Sequence, residues 1–138
     1  MNETALAASP LMTPTLTATQ RPTKVMLVDD HASFRASARW LLETEVYEVV
    51  AEAASGERAL DLVVAARPEL VLLDIGLPGI DGFQVALAIR ALVPGARIVL
   101  ISSRELVDLG ADRVLACGAA GFVHKADLSH DALAAIDS

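Results

Sequence analysis

Apolar runs that end in acidic residues are the feature that most restricts the fold of this chain. Residues 70–73 (LVLL) are followed by Asp74, and residues 24–28 (KVMLV) are followed by Asp29 and Asp30. A short run that is apolar at every position is typical of a parallel strand covered on both faces. Acidic residues at the carboxyl ends of such strands lie where open α/β sheets bind their ligands.

These three carboxylates form one cluster if the two strands are neighbours. Two unit charges about 4 Å apart repel by roughly 4 kcal/mol at an effective dielectric constant near 20. A hard divalent cation with oxygen ligands offsets that cost best. Each acidic position alone could equally be an ordinary solvated loop charge, so the metal interpretation depends on the rest of the chain.

Strand and helix patterns alternate along the chain from residue 24 onward. Strands are predicted at residues 24–28, 47–53, 70–73, 97–101 and 121–124. Helices are predicted at residues 33–43, from Ser55 to the stop at Arg67-Pro68, at 83–92, within 106–117, and at 129–136. Five such units joined by right-handed crossovers predict an α/β fold, with a doubly wound parallel sheet and helices on both faces.

Residues 1–23 differ in composition from the rest of the chain. They are rich in Thr and Ala, contain Pro10, Pro14 and Pro22, and have no sustained hydrophobic period. We therefore predict a disordered N-terminal leader at residues 1–23 and one domain at residues 24–138. With 54% hydrophobic but only 4% aromatic residues, the core of that domain must be built mainly from aliphatic side chains.

Charge, cysteine content and hydropathy exclude several classes of function. A net charge of −7 with no basic stripe argues against direct nucleic-acid binding by this chain. Cys117 is the only cysteine, which rules out an intrachain disulfide and favours a reducing, cytoplasmic compartment. No apolar stretch approaches the roughly 18 residues that cross a bilayer, and the N-terminus does not read as a secretory signal, so no membrane association is expected.

Four segments, in this order, carry a resemblance to a known family. They are VDDH at residues 28–31, LDIGLPGIDG at 73–82, ISS at 101–103, and GFVHK at 121–125. With these segments the chain resembles the receiver (response-regulator) domain of two-component signalling over about residues 24–137. Asp-Asp-His followed by Phe34-Arg35 is similar to the NarL/FixJ-type subgroup of DNA-binding regulators. The resemblance implies a flavodoxin-like sheet with strand order 2-1-3-4-5.

The resemblance also implies a phosphoacceptor and a metal site. Asp74 would take a phosphoryl group from a phosphohistidine on a sensor histidine kinase. Asp30 and Asp74 would ligate Mg²⁺ directly with the backbone carbonyl of Gly76, and Asp29 would act largely through a bound water. A receiver of this kind is a phosphorylated switch rather than an enzyme acting on a separate substrate.

Lys125, Ser102 and Phe122 complete the set that the resemblance implies. Lys125 would pair with Asp74 and then with a phosphoryl oxygen, and the Ser102 hydroxyl would donate to another, with Ser103 as a less favoured substitute. This agrees with the general chemistry, since phosphoryl transfer is promoted mainly by positioning and electrostatic stabilisation. In receivers the hydroxyl residue and an aromatic, here Phe122, move together on phosphorylation. Core packing and switching are equally good interpretations of Phe122.

Three positions depart from the common receiver pattern or invite another interpretation. Gly76 and Arg104 occupy positions that influence hydrolysis of the aspartyl phosphate in receivers, and our hypothesis is that Gly76 leaves the attacking water access while Arg104 shields the phosphoryl group. Ala126 stands where a proline often follows the lysine. His31 is adjacent to the acidic pair, but hard cations with oxygen ligands do not need it, so ligation by His31 is not expected.

Two other functions remain to be weighed against a phosphorylated receiver. One is an unphosphorylated receiver-like interaction or dimerisation module, which the intact set of acidic, hydroxyl and lysine residues disfavours. The other is a Mg²⁺-dependent phosphatase on a similar sheet, which commonly has an acid two residues after the nucleophile, where this chain has Gly76. A regulator of the NarL/FixJ type acts on transcription through a DNA-binding domain that these 138 residues do not include. Such a receiver can also form a homodimer on phosphorylation.

Overall fold

Five parallel strands form one sheet in the computed structural model, which describes residues 21–137. The strands are β1 (Thr23–Val28), β2 (Tyr47–Ala53), β3 (Leu70–Asp74), β4 (Arg97–Ser102) and β5 (Gly121–His124). Their order is β2-β1-β3-β4-β5, and every neighbouring pair is parallel. The predicted strand order 2-1-3-4-5 is confirmed.

The helices follow the strands in alternation. They are α1 (Ala32–Leu42), α2 (Gly56–Ala66), α3 (Gly82–Leu92), α4 (Leu106–Leu109), α5 (Ala111–Ala116) and α6 (His130–Asp137), with a 3-10 turn at Lys125–Asp127. Most ends lie within one residue of the prediction. The exception is the helix predicted within residues 106–117, which is two short helices because Gly110 adopts a positive φ of 89° between them. A residue in that conformation cannot continue a right-handed helix.

Most of the predicted leader lies outside the described residues. Of residues 1–23, only the last three are described, and Thr23 already belongs to β1, where its N–H donates to the carbonyl of Val46 at 2.8 Å. The sheet therefore begins one residue earlier than predicted. In addition, no helix within residues 21–137 has the length and apolar content needed to cross a membrane.

Local capping explains where α2 and α3 start. The Ser55 hydroxyl accepts a hydrogen bond from the backbone N–H of Arg58 at 3.1 Å, so Ser55 is the N-cap of α2. A carboxylate oxygen of Asp81 accepts from the N–H of Phe83 at 2.7 Å, so the acidic residue in the turn after β3 starts α3. Arg67 ends α2 with a positive φ of 48°, directly before Pro68.

Apolar side chains lie on both faces of the sheet. Alternate residues of each central strand belong to two separate buried clusters, so that Met26, Val71 and Ile98 lie in one and Val25, Leu72 and Val99 in the other. Helices α2, α3 and α5 cover the first cluster, and α1 and α6 cover the second. Burial of each large aliphatic side chain contributes about 1.5–3 kcal/mol, so this two-sided core fixes the carboxyl ends of the strands in place.

Candidate functional site

Two buried carboxylates meet at the carboxyl edge of the sheet. Asp29 directly follows β1 and is 1% exposed, while Asp74 ends β3 and is 4% exposed. The two strands are hydrogen-bonded neighbours in which Val28 pairs with Leu73, so their final residues are brought side by side. The cluster that the sequence predicted is therefore present.

Lys125 lies between these two carboxylates. Its Nζ is 2.6 Å from Asp29 Oδ2 and 3.2 Å from Asp74 Oδ2, and it lies 4.7 Å from the centre of the Phe34 ring. Burial lowers the pKa of the Lys125 amine, but the contacts with Asp29 and Asp74 outweigh burial and raise that pKa above 10.5. The ammonium is thus held in its charged form. The contact with Asp74 matches the sequence prediction, whereas the shorter contact with Asp29 was not predicted.

The Asp74 carboxyl is stabilised from two sides, yet its negative charge is costly. Its Oδ1 accepts a hydrogen bond from the N–H of Gly76 at 2.8 Å, and its Oδ2 faces Lys125. Burial nevertheless raises the pKa of Asp74 above its ordinary value, and the charge of Asp29 adds to this rise. The Gly76 N–H and Lys125 lower the pKa without cancelling the effect of burial. An added cation at this edge would favour the ionised form.

Asp30 and His31 extend the cluster toward solvent. The side chain of Asp30 is 30% exposed, and its Oδ1 lies 3.2 Å from His31 Nδ1. The same imidazole nitrogen lies 3.3 Å from Asp29 Oδ1, which also accepts the His31 backbone N–H at 2.8 Å. One ligand atom from each of Asp29, Asp30, His31 and Asp74 falls within 4.8 Å of the others.

The donor set fits a divalent cation. Three carboxylates supply oxygen atoms, and the buried Oδ2 of Asp29 is paired with the Lys125 ammonium. Carboxylates that converge in this way are the ligands that hard divalent ions prefer. Gly76, which was predicted to add its carbonyl, follows Asp74 by two residues and is tied to it through its N–H.

The hydroxyl residue at the end of β4 is buried beside this edge. Ser102 is 3% exposed, whereas Ser103 is exposed. Because Asp74 pairs with Ile101 on the neighbouring strand, Ser102 lies one residue beyond the level of Asp74. Its Oγ accepts the backbone N–H of Arg104 at 2.9 Å, which leaves the hydroxyl proton available to donate. Burial and register favour Ser102 over Ser103 as the hydroxyl of the site.

Phe122 lies between the core and an open groove. It is half-buried, pairs with Leu100 in the sheet, and packs against the first core cluster. It also lines a groove of about 390 Å³ together with Glu105, Val123, His124, Asp127, Ala132 and Ile136. The ring has core contacts on one side and free volume on the other, so both packing and switching remain compatible with its position.

The start of α1, with His31 as its N-cap residue, contributes three side chains that sequence reasoning did not place in the site. His31 reaches both acidic residues, Phe34 lies against the Lys125 ammonium, and Arg35 donates to the Asp29 carbonyl at 2.6 Å and to Glu52 at 3.2 Å. The available signal was their spacing after the acidic pair. His31 and Arg35 are four residues apart at the start of a helix, so they share one face of its first turn.

Comparison with known proteins agrees with this arrangement. Residues 25–137 match the family described as the response regulator receiver domain. The probable transcriptional regulatory protein NarL of Mycobacterium tuberculosis is 41% identical over 108 residues, which cover 76% of this chain and 50% of that protein. The putative positive transcription regulator of virulence factors BvgA of Bordetella pertussis is 37% identical over 110 residues, covering 80% of this chain and 52% of that protein.

A solved structure shows the same likeness in three dimensions. The signal receiver domain of the putative response regulator NarL from Mycobacterium tuberculosis superposes with a TM-score of 0.74 at 33% identity, covering 86% of this chain and 98% of that one. The chain spans about half the length of the curated relatives that it matches. The likeness thus covers the sheet, its helices and the acidic edge.

Proposed function

Because this chain belongs to the family of response regulator receiver domains, we propose that it is a phosphorylation-controlled switch in which Asp74 accepts a phosphoryl group from a sensor histidine kinase. The observation that carries the proposal is the position of Asp74, whose carboxylate lies at the carboxyl edge of the sheet with Lys125 at 3.2 Å and Asp29 beside it. The buried carboxylate of Asp74 thereby lies next to a positive charge, the Lys125 ammonium, of the kind that stabilises phosphoryl transfer.

The proposed transfer is a displacement at phosphorus. A carboxylate oxygen of Asp74 forms the new O–P bond while the N–P bond of the kinase phosphohistidine breaks, and the leaving imidazole keeps the electron pair of that bond. The carboxyl must be ionised to attack. Lys125 and the Gly76 N–H favour the ionised form against the opposing effect of burial. Their hydrogen bonds also orient the carboxylate, because each engages a different oxygen.

Asp29, Asp30 and Asp74, with the Gly76 carbonyl, are proposed to hold Mg²⁺. When bound, the ion supplies positive charge that offsets the repulsion among the carboxylates and the charge on the transferring phosphoryl group. The convergence of these carboxylates at one edge of the sheet supports this assignment.

Lys125 and Ser102 are proposed to bind the phosphoryl oxygens. Lys125 is a compact cation on a mobile stem, and it can move from the carboxylate of Asp74 to an oxygen of the new group. The Ser102 hydroxyl can donate to a second oxygen. Hydrogen bonds to an ionised oxygen are about twice as strong as neutral ones, and we expect them to favour one conformation of the loop that follows β4.

The switch itself is proposed to link Ser102 to Phe122. Phosphorylation adds about −1.5 to −2 charges at Asp74 and draws the hydroxyl toward the new group. This motion would change the space around Phe122, which already borders the groove between β5 and α6. Phe lacks a hydroxyl, so the two positions of its ring would differ in packing and not in a hydrogen bond of its own.

The wider role is proposed from the relatives. NarL and BvgA are transcription regulators by name, and this chain matches about half of each. We propose that the switch controls transcription in the cytoplasm through a DNA-binding domain outside these 138 residues, with homodimerisation on phosphorylation as one route. The domain itself would neither bind nucleic acid directly nor turn over a separate substrate as an enzyme does.

The proposal is tested by phosphorylation with a small donor. The protein is incubated with acetyl phosphate and Mg²⁺, and the intact mass is measured for wild type, Asp74→Ala and Asp61→Ala, where Asp61 is an exposed carboxylate of α2 that serves as a matched control. We expect a Mg²⁺-dependent phosphate adduct on wild type and Asp61→Ala only. An adduct that persists in Asp74→Ala refutes Asp74 as the acceptor. No adduct on any of the three, together with no binding of beryllofluoride, favours the unphosphorylated interaction module.

A further inference from the structure

We propose that His124 is a latch that holds the loop after β4, residues 103–105, in its unphosphorylated arrangement, and that it does so through the peptide unit between Ser103 and Arg104. This role rests on the proposed function, because Ser102, which is proposed to bind the phosphoryl group, directly precedes this loop. His124 is a positioning residue that reaches the loop from the neighbouring strand. None of the contacts described for its side chain reaches the acidic edge.

The imidazole of His124 connects the two loops that follow β4 and β5. Its Nε2 lies 2.9 Å from the carbonyl oxygen of Ser103, and its Nδ1 lies 3.1 Å from the backbone nitrogen of Ala126. Ser102 and His124 pair in the sheet, so both loops leave the sheet at the same level. The side chain is 22% exposed, which agrees with a ring held between two backbone segments.

The two contacts determine which ring nitrogen carries the proton. A backbone N–H can only donate, so Nδ1 must accept from Ala126 and has no proton. A carbonyl oxygen can only accept, so Nε2 must carry the proton and donate to Ser103. Glu105 Oε1 lies 3.7 Å from Nε2, which is too far for it to replace Ser103 as the acceptor. The neutral imidazole thus uses each of its nitrogens to fasten one loop.

The peptide unit between Ser103 and Arg104 is held at both ends. Its carbonyl accepts from His124 Nε2, and its N–H donates to Ser102 Oγ at 2.9 Å. A peptide unit is planar and turns as one body, so each of these hydrogen bonds restricts the direction of the other. His124 therefore acts on the Ser102 hydroxyl through a single rigid group.

This arrangement opposes the motion proposed for the switch. As the Ser102 hydroxyl is drawn toward a phosphoryl group on Asp74, the peptide unit that donates to this hydroxyl turns as well. Turning the unit pulls its carbonyl away from His124 Nε2. The latch is therefore closed only in the arrangement without a phosphoryl group, and a bond that is present in one state alone shifts the equilibrium toward that state.

A purely structural role for His124 leads to the opposite result. If the ring only supports a folded site, its removal loosens the loop and weakens the binding of a phosphoryl group. If the ring is a latch, its removal frees the loop to reach the bound arrangement and strengthens that binding. The sign of the change in affinity separates the two roles.

The experiment is calorimetric titration of the 138-residue protein with beryllofluoride, a mimic of the phosphoryl group, at saturating Mg²⁺. His124→Ala removes both ring nitrogens. His124→Gln keeps a donor near the place of Nε2, whereas His124→Asn keeps an acceptor near the place of Nδ1 and no donor that reaches Ser103. His130→Ala is the matched control, because His130 Nε2 donates to the carbonyl of Leu41 at 2.7 Å and not to the loop after β4. Asp74→Ala tests whether binding uses the proposed acceptor.

We expect His124→Ala and His124→Asn to bind beryllofluoride about fivefold more tightly than wild type, a factor that corresponds to about 1 kcal/mol. His124→Gln and His130→Ala should stay within about twofold of wild type. In a Ser102→Ala background, His124→Ala should have no further effect, because the latch acts through the Ser102 hydroxyl. Nitrogen-15 spectra of wild type give a readout that does not depend on binding, and they should show the His124 proton on Nε2.

Weaker or unchanged binding in His124→Ala and His124→Asn overturns the latch and leaves the proposed function intact. An effect of His124→Ala that persists without the Ser102 hydroxyl, or a His124 proton on Nδ1, also overturns the latch alone. Binding that is undetectable in wild type, or equal in wild type and Asp74→Ala, overturns the proposed function as well.

Discussion

Lys125 lies closer to Asp29 than to Asp74, at 2.6 Å against 3.2 Å between Nζ and the nearest carboxylate oxygen of each. The lysine is therefore anchored on the acid that is not proposed to be phosphorylated. If Asp74 is phosphorylated as proposed, we expect Lys125 to contact the new oxygens while it keeps its contact with the buried Asp29.

Removing the lysine should destabilise the protein. Lys125→Met leaves Asp29 and Asp74 facing each other without a cation, and loss of one partner of a buried pair costs about 3 kcal/mol or more. Denaturant unfolding without metal measures the change, and Asp29→Asn alone and combined with Lys125→Met completes a double-mutant cycle. We expect the combined variant to lose less than the sum of the two single losses. Additive losses would show that the 2.6 Å contact carries no coupling energy.

Neutralising Asp74 should have the opposite effect. Burial raises the pKa of Asp74, so the folded protein holds the proton more tightly than the unfolded chain does. The free energy of unfolding therefore falls as the pH rises from the ordinary value of 3.8 through the raised pKa, and the cost of the charge is fully present above it. Asp74→Asn removes that cost while Lys125 keeps Asp29 as its partner.

We expect Asp74→Asn to raise the free energy of unfolding at neutral pH by about 1 kcal/mol in the absence of divalent cations. Saturating Mg²⁺ should reduce or reverse the difference, because the proposed ion stabilises only the wild-type carboxylate. Urea unfolding at pH 4 and pH 7 provides the measurement. A variant less stable than wild type at pH 7 without metal contradicts this account of the buried charge.

The sequence was sufficient to predict the sheet and the acidic edge. Strands such as β3 are apolar on both faces, and parallel strands carry their terminal residues to one edge of the sheet. That the strands of Asp29 and Asp74 are neighbours, and that Lys125 pairs with Asp74, was implied by the family resemblance. The division of the fourth helix at Gly110 did not follow, because a glycine is tolerated within a helix and only its positive φ reveals the break.

The contacts that the start of α1 makes with the acidic edge could not be predicted from the sequence pattern. The direction of the His31 ring and the distance from Phe34 to Lys125 depend on the rotation of α1 against the sheet. Burial of Ala38 and Leu42 against the second core cluster sets that rotation. Amphipathic spacing indicates which face is apolar, but it does not give side-chain distances at the other end of the helix. The sequence therefore predicted the acids and missed their neighbours.

Gly82 should be intolerant of a side chain because the turn after β3 passes close to it. A Cβ added there would lie 2.6 Å from the backbone Cα of Ile75. We expect Gly82→Ala to lower the free energy of unfolding by about 2 kcal/mol, since the backbone must move to relieve the contact. Gly95→Ala is the matched control, because nothing lies within 4 Å of its Cβ position, and it should change stability by less than about 0.5 kcal/mol. Equal effects of both substitutions would refute the steric explanation.

Ser102 should matter for phosphorylation and Ser103 should not. Ser102 is buried beside Asp74, whereas Ser103 is exposed. Losing a hydrogen bond that stabilises charge in the transition state slows a reaction substantially, and we expect Ser102→Ala to reduce the rate of acetyl phosphate labelling about tenfold or more. Ser103→Ala should stay within about twofold of wild type, a factor that corresponds to only about 0.4 kcal/mol. If Ser103→Ala proves to be the slower variant, the hydroxyl of the site has been assigned to the wrong residue.

Hydrolysis of the aspartyl phosphate should depend on Gly76 and Arg104. Gly76 is exposed, and a Cβ there would lie 3.3 Å from Asp74 Oδ1. If Asp74 is phosphorylated as proposed, we expect a side chain at this position to hinder the approach of water to the phosphoryl group. Gly76→Asn is expected to slow dephosphorylation several-fold, as measured by the decay of the phosphate adduct after removal of the donor. Gly95→Asn serves as the control for a general effect of a new side chain.

Removing the Arg104 side chain should change the rate of hydrolysis in the direction opposite to that expected for Gly76→Asn. The backbone N–H of Arg104 donates to the Ser102 hydroxyl, and its guanidinium donates to the Asp108 carbonyl at 3.2 Å. If the side chain shields the phosphoryl group, Arg104→Ala should speed dephosphorylation several-fold and leave the rate of labelling unchanged. The opposite directions expected for Gly76→Asn and Arg104→Ala make the pair informative, because a general loosening of the site would shift both rates the same way. An unchanged decay in Arg104→Ala would eliminate shielding and leave access beside Gly76 as the controlling feature.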